Sequence, residues 1–121
     1  MVNEKHVGIV GYRDYHNYNE FCKIIKEWIL KNGNIDMIIS GGCKGTDTLA
    51  EKYAKENNIP IKLFLPDWDK YGDSAGPIRN KEIVNSSTHL IALPSKKSKG
   101  TYTTIQMAKK KKIPIMEKCI D

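Results

Sequence analysis

The stretch DMIISGGCKGTDTLAEKYAKENN, residues 36–58, decides the fold. Its first five residues, DMIIS (36–40), form a short apolar run that reads as a buried strand. The run breaks into GGCKGTD, and the segment after it sets Leu49, Ala50, Tyr53 and Ala54 on one helical face, with Asp47 or Thr48 placed to cap the first turn. Strand, glycine-rich turn and amphipathic helix follow one another with no spacer. The stretch is a βα unit, and the sequence on both sides of it repeats the pattern.

Upstream, KHVGIV (5–10) is rich in β-branched residues and ends at Gly11, as a first strand should. YNEFCKIIKEWILKNG (18–33) then places Phe21, Ile24, Ile25, Trp28 and Ile29 at helical spacing, with Gly33 as a stop. Downstream, IPIKLFLP (59–66) reads as a third strand bounded by prolines, and Pro77 suits the first position of a helix over 77–87, where its missing N–H costs nothing. HLIALP (89–94), a helix over 101–112 and IPIME (113–117) complete the alternation. Strands alternating with helices of this length predict a parallel sheet covered on both faces, and the near-continuous apolar character of the strands agrees. The expected fold is a Rossmann-like three-layer α/β/α sandwich, a single domain over 1–121 with a mainly parallel five-stranded sheet.

From the end of the third strand into the third helix runs PDWDKYGDSAGPIRN (66–80), a segment with no clear periodicity that carries one of two tryptophans and one of two arginines. A structureless connection of that length is usually functional or disordered. Charge points the same way. The net charge of +6 is almost all lysine, and a run such as Lys109 to Lys112 reads as a solvated helix face. Arg13 and Arg79, in contrast, both fall in glycine-containing loops, and arginine is the residue that bidentate recognition of phosphate or carboxylate demands. Cys22, Cys43 and Cys119 are far apart with no zinc-type spacing, so a reducing interior is expected and no metal is called for. No apolar run approaches the ~20 residues that span a bilayer, and MVNEKHVGIVG lacks a signal-peptide layout, so a cytoplasmic protein without membrane contact is expected.

In a parallel sheet every strand's carboxyl end lies on one edge, so the loops GYRDYHN, SGGCKGTD, PDWDKYGDSAGPIRN and PSKKSKGT open onto one side. They hold seven of the nine glycines and both arginines, a concentration that suits a phosphate-bearing ligand held by backbone N–H groups and helix N-termini. Taken singly, each glycine cluster also reads as an ordinary tight turn. Neither G-x-G-x-x-G nor G-x-x-x-x-G-K-[ST] is present, which disfavours a standard dinucleotide site and a P-loop NTPase. His6, His16 and His89 are scattered and read as ordinary strand or surface residues, Trp28 as core.

The set GYRDY (11–15), SGGCKGTDTLAEKYA (40–54), DWDKYGDSAGPIRN (67–80) and SKGTYTTIQMAKKKKIPI (98–115) resembles the SLOG superfamily, which unites DprA (Smf) proteins with LOG phosphoribohydrolases, and looks most like its small stand-alone YspA/YpsA-like members. The resemblance implies a nucleotide or nucleotide-derived ligand over the strand ends, with no separate cofactor. The G-G-x-x-G turn followed by Asp, here Gly41, Gly42, Gly45 and Asp47, and the turn at Gly100 and Thr101 are similar to the family's phosphate-binding elements; Arg13, Lys44, Arg79 and Ser98 are expected around the same phosphate, with Gly11, Ser40 and Asn80 beside them. Asp67, Trp68 and Tyr71 then belong to the ligand-facing wall, where an aromatic ring can stack on a base. Arg79 matches the position of an arginine that takes part in cleavage in LOG enzymes. The family's P-G-G-x-G-T-x-x-E departs here to PSKKSKGTYTT, with Thr104 at the glutamate's place. An enzyme would need another carboxylate, for which Asp47, Asp67 and Glu82 are candidates, although Asp47 also reads as a helix cap and Glu82 as a solvated helix residue. The expected function is therefore a ligand sensor or a weak nucleoside-monophosphate N-glycosidase. The alternatives are DprA-like binding of single-stranded nucleic acid, on the positive charge and loop aromatics, and a partner-binding homo-oligomer with a vestigial cleft.

Overall fold

A computed structural model describes residues 4–121. Residues 1–3, part of the segment inspected for a leader, lie outside the described residues. In chain order the elements are β1 (His6–Gly11), α1 (Tyr18–Asn32), β2 (Met37–Ser40), α2 (Thr46–Glu56) and β3 (Ile61–Leu63), then α3 (Trp68–Tyr71), α4 (Ala75–Ser86), β4 (His89–Leu93), α5 (Gly100–Lys111) and β5 (Ile115–Glu117). The strands form one sheet in the order β3-β2-β1-β4-β5, and every neighbouring pair is parallel. The α/β Rossmann-like architecture expected from the alternation is the one observed.

Two apolar layers sandwich the sheet. On one face Val7, Ile9, Ile38 and Ile91 meet Phe21, Ile25 and Trp28 of α1 and Ala50 and Tyr53 of α2. On the other, Val10, Ile39, Leu90 and Ala92 meet Ile83 and Val84 of α4 and Ile105 and Ala108 of α5. Side chains of one strand alternate between faces, so a strand covered on both is apolar along its covered length, as β1, β2 and β4 are but for His6, Ser40 and His89 at their ends. The chain leaves β1 for β2 on one side and later returns to β4 on the other. That reversal opens a crevice between the carboxyl ends of β1 and β4.

Three expectations need correction. The third strand is not buried: β3 is an edge strand shortened to Ile61–Leu63, flanked by Pro60 and Pro66, with Leu63 40% exposed. The segment 66–80 is not a loop: α3, a 3-10 turn over Gly72–Ser74 and the start of α4 fill it. Pro77 is accordingly the third residue of α4 rather than its first, still inside the turn whose N–H groups have no intrahelical acceptor. The stop of the first helix is as read: Gly33 ends α1 at a positive φ of 93°, its N–H bonded to Ile29 O at 2.7 Å. Among the described residues no helix is long and apolar enough to cross a membrane.

Candidate functional site

The crevice is built where three chain segments are clamped together. Tyr12 N donates to Leu93 O at the end of β4, while Tyr12 O accepts from both Thr46 N (3.2 Å) and Thr46 Oγ1 (2.9 Å) at the start of α2. Gly11 makes the clamp possible, because a Cβ there would stand 2.5 Å from Thr46 Oγ1 and 2.7 Å from Leu93 O. Gly45 plays the same part on the next turn: its φ is 74°, and a Cβ would run into the Arg13 backbone.

Gly45, not Asp47 or Thr48, occupies the N-cap of α2, and no side chain caps that helix. Asp47 instead reaches back along the turn and accepts the Cys43 N–H at Oδ2, 3.0 Å. Only 8% exposed, it has its carboxyl pushed up by burial, against the pull of the Cys43 N–H, the Arg79 guanidinium and the Ser40 hydroxyl. Ser40 Oγ, fully buried, favours the ionised carboxylate by proximity, yet no hydrogen bond of good geometry reaches it among the described residues.

Arg79 crosses from α4 to the same turn. Its Nη1 donates to Gly41 O at 2.7 Å and its Nε to Asn80 Oδ1 at 2.8 Å, and the guanidinium lies so flat on Gly41 that a Cβ would stand 2.5 Å from Nη1. The fourth wall is the turn from β4 into α5. There Ser98 Oγ accepts the Ser95 N–H at 3.0 Å, and α5 begins at Gly100 with no side-chain cap. Thr104 is buried, and its Oγ1 donates to Gly100 O at 3.0 Å.

These segments enclose a cleft of about 610 Å³ with Val10 and Ile83 as its apolar floor. Of the residues expected at a site, it brings together Gly11, Arg13, Asp47, Arg79, Asn80, Ser98, Gly100 and Thr101. Ser40, Gly41 and Gly45 lie buried behind the wall. The others stand apart from the lining. Lys44 is exposed and pairs with Asp14 at 3.5 Å, Gly42 faces Leu65, and Asp67 caps α3 by accepting the Lys70 N–H at 3.1 Å. Trp68 and Tyr71 are exposed and outside the cleft wall, and so is Glu82. Tyr12, Val10 and Ile83 were missed as lining residues; the available signal for Tyr12 was its position directly after the strand-ending Gly11. Four cationic residues, Arg13, Arg79, Lys97 and Lys99, line the cleft together with a single carboxylate, Asp47, and Arg79 acts on that carboxylate. No cluster of side chains suited to a metal occurs among the described residues.

Sheet order and cleft position define a Rossmann-like domain with a cationic crevice at its topological switch point. The profile of the YAcAr family, the YspA, cpYpsA-related SLOG family, matches residues 6–71, more than half of the chain, and the protein belongs to that family. The matched segment runs from β1 through α3, so Arg79 and the 95–101 turn lie beyond it. The gene 61 protein of Mycobacterium phage D29 is 30% identical over 86 residues, covering 66% of this chain and 69% of that relative. The X-ray structure of DNA processing protein A (DprA) from Streptococcus pneumoniae superposes with a TM-score of 0.73 over 94% of this chain at 19% identity. The chain spans about half (50%) of that DprA chain, and the likeness is one of fold.

Proposed function

We propose that the protein binds a nucleotide or nucleotide-derived ligand in this cleft, phosphate toward Arg79 and the two uncapped helix starts. The observation that carries the reading is convergence: four cationic residues and the first turns of α2 and α5 line one cleft of about 610 Å³ that holds a single carboxylate. Arg79 holds its place through Gly41 O and Asn80, and its remaining N–H groups are available to a phosphate. Gly100 and Thr101 present backbone N–H groups of the first turn of α5. Ligand sensing is the form of this function the geometry supports best. Bond cleavage in the manner of an N-glycosidase would fall to Asp47, the one carboxylate of the wall, because Thr104 carries a hydroxyl, which does not titrate near neutral pH, and commits it to Gly100 O.

The test is a thermal-shift and calorimetric panel of nucleoside monophosphates, ADP-ribose and cyclic nucleotides on the wild type and Arg79→Ala, with free base assayed in parallel. Binding that falls in the variant supports the reading. A wild type that responds to no nucleotide overturns it.

A second reading, single-stranded nucleic-acid binding, is favoured by the +6 charge and by Lys97 and Lys99 on the cleft rim. Affinity for an oligonucleotide that falls log-linearly and steeply with salt supports it; a response confined to mononucleotides counts against it. Self-association is proposed for a different surface, the exposed apolar run Ile61, Leu63, Leu65, Trp68 and Tyr71. A monomer by light scattering at high concentration sinks that part.

A further inference from the structure

Ser95 is wholly buried at the point where the chain leaves β4 for α5. Asp121 closes on it from the segment that follows β5. Its Oδ2 accepts from Ser95 Oγ at 2.6 Å, and its Oδ1 accepts from the Lys96 backbone N–H at 3.0 Å. The segment reaches that position by running along the end of β4, with Lys118 N bonded to Ala92 O and Ile120 N to Pro94 O, both at 2.9 Å. Ser95 passes the constraint on. Its Oγ accepts the Lys97 N–H at 3.1 Å, its N–H donates to Ser98 Oγ at 3.0 Å, and its carbonyl accepts the Ser98 N–H at 3.0 Å. Because Ser98 Oγ serves as an acceptor there, its own proton is left to donate elsewhere. Lys97, Ser98, Lys99 and Gly100 form one rim of the cleft.

We infer that Asp121 is a positioning residue for the cleft: through Ser95 and the Lys96 N–H it holds the 96–100 rim in the shape that offers Ser98, Gly100 and their neighbours to a phosphate. This rests on the reading of the cleft as a phosphate site. Asp121 touches no ligand in that role. Its carboxyl is drawn down to about 2 by the Ser95 hydroxyl and the Lys96 N–H, so it stays ionised at neutral pH. A carboxylate near an anion site repels the anion, and this gives the inference a sign of its own. Charge alone predicts tighter binding when Asp121 is neutralised; positioning predicts weaker.

The experiment compares the wild type with Asp121→Ala and Asp121→Asn, measuring adenosine monophosphate affinity by calorimetry and amide exchange by mass spectrometry. Both variants remove the charge, but Asn keeps an acceptor for the Lys96 N–H. The expected result is about tenfold weaker binding for Ala, the size of a lost hydrogen bond to a charged acceptor, and a smaller loss for Asn. Exchange should quicken at residues 96–100 in Asp121→Ala and stay unchanged in β1 and α2. Equal or tighter binding by Asp121→Ala overturns the inference, as does exchange that quickens equally throughout the chain. If the wild type ignores adenosine monophosphate and every other nucleotide of the panel above, the phosphate reading of the cleft fails by itself. Asp121 is then judged on exchange alone, and unchanged rates at 96–100 in Asp121→Ala overturn its positioning role.

Discussion

Arg79 and Gly41 are one device made of two residues. The guanidinium lies against Gly41, with Nη1 2.7 Å from its carbonyl, so any side chain at 41 displaces the arginine. Arg79→Ala is expected to weaken nucleotide binding at least about tenfold, and Arg79→Lys to restore little of it, because an ammonium cannot hold Gly41 O and a phosphate in one planar fork; calorimetry checks both. Gly45→Ala is expected to destabilise the fold by about 3 kcal/mol, the combined effect of a φ that L-residues avoid and a Cβ inside the Arg13 backbone, read as a lower urea midpoint. Asp47 makes a pH prediction. Burial raises its native pKa above the unfolded value of about 3.9, so the native state holds this proton more tightly than the unfolded chain does. The stabilisation is complete below roughly pH 4 and declines as pH rises through the native pKa. Asp47→Asn keeps an acceptor for the Cys43 N–H and loses that penalty. Its melting temperature should exceed the wild type's at pH 7 and approach it at about pH 4; a lower value at pH 7 counts against burial as the dominant influence.

Among the elements, α4 and α5 show how a lysine run can hide one structural residue. Lys111 Nζ donates to Asn85 O at 2.8 Å and to Val84 O at 3.0 Å, the latter already accepting the Ser87 N–H at 3.2 Å, and so ties α5 to the carbonyl end of α4. The sequence shows only four consecutive lysines, which read as a solvated face. Lys111→Met should cost about 1 kcal/mol in chemical denaturation, whereas Lys110→Met should be close to neutral. The sequence was clearest where periodicity was strong: α1 buries Phe21, Ile24, Ile25 and Trp28 on one stripe and ends at the glycine that stops it. It was unclear over 66–80 because α3 is a single turn and α4 buries only Ala75, Ile83 and Val84, too few apolar positions to set a period. For β3 the apolar run was legible but its place in the sheet was not. Strand order depends on which later strand pairs with β1, and that is not encoded within residues 59–66.

At the scale of the whole molecule, the cleft was legible in outline because a parallel sheet must bring the loops after β1, β2 and β4 to one edge, whatever their separation in sequence. Arg13, Asp47 and Gly100 meet there as that rule requires, and Arg79 joins them from α4. Trp68 and Tyr71 follow no such rule: the direction of their rings is set by a one-turn helix, which points them to the surface beyond the wall. Trp68→Ser should therefore leave mononucleotide affinity within about twofold of the wild type, a calorimetric result that a stacking role would not survive. The sheet order has a further consequence during synthesis on the ribosome. β1 is a central strand, but its second neighbour, β4, does not appear until residues 89–93 have been made. A growing chain that already holds β1, β2 and β3 carries its central strand with one edge bare, an arrangement prone to pair with another nascent copy. Nor can a nucleotide shelter that intermediate, because the 97–101 rim of the cleft emerges later still. Chains interrupted between β3 and β4 should accumulate as aggregates rather than as a smaller folded unit.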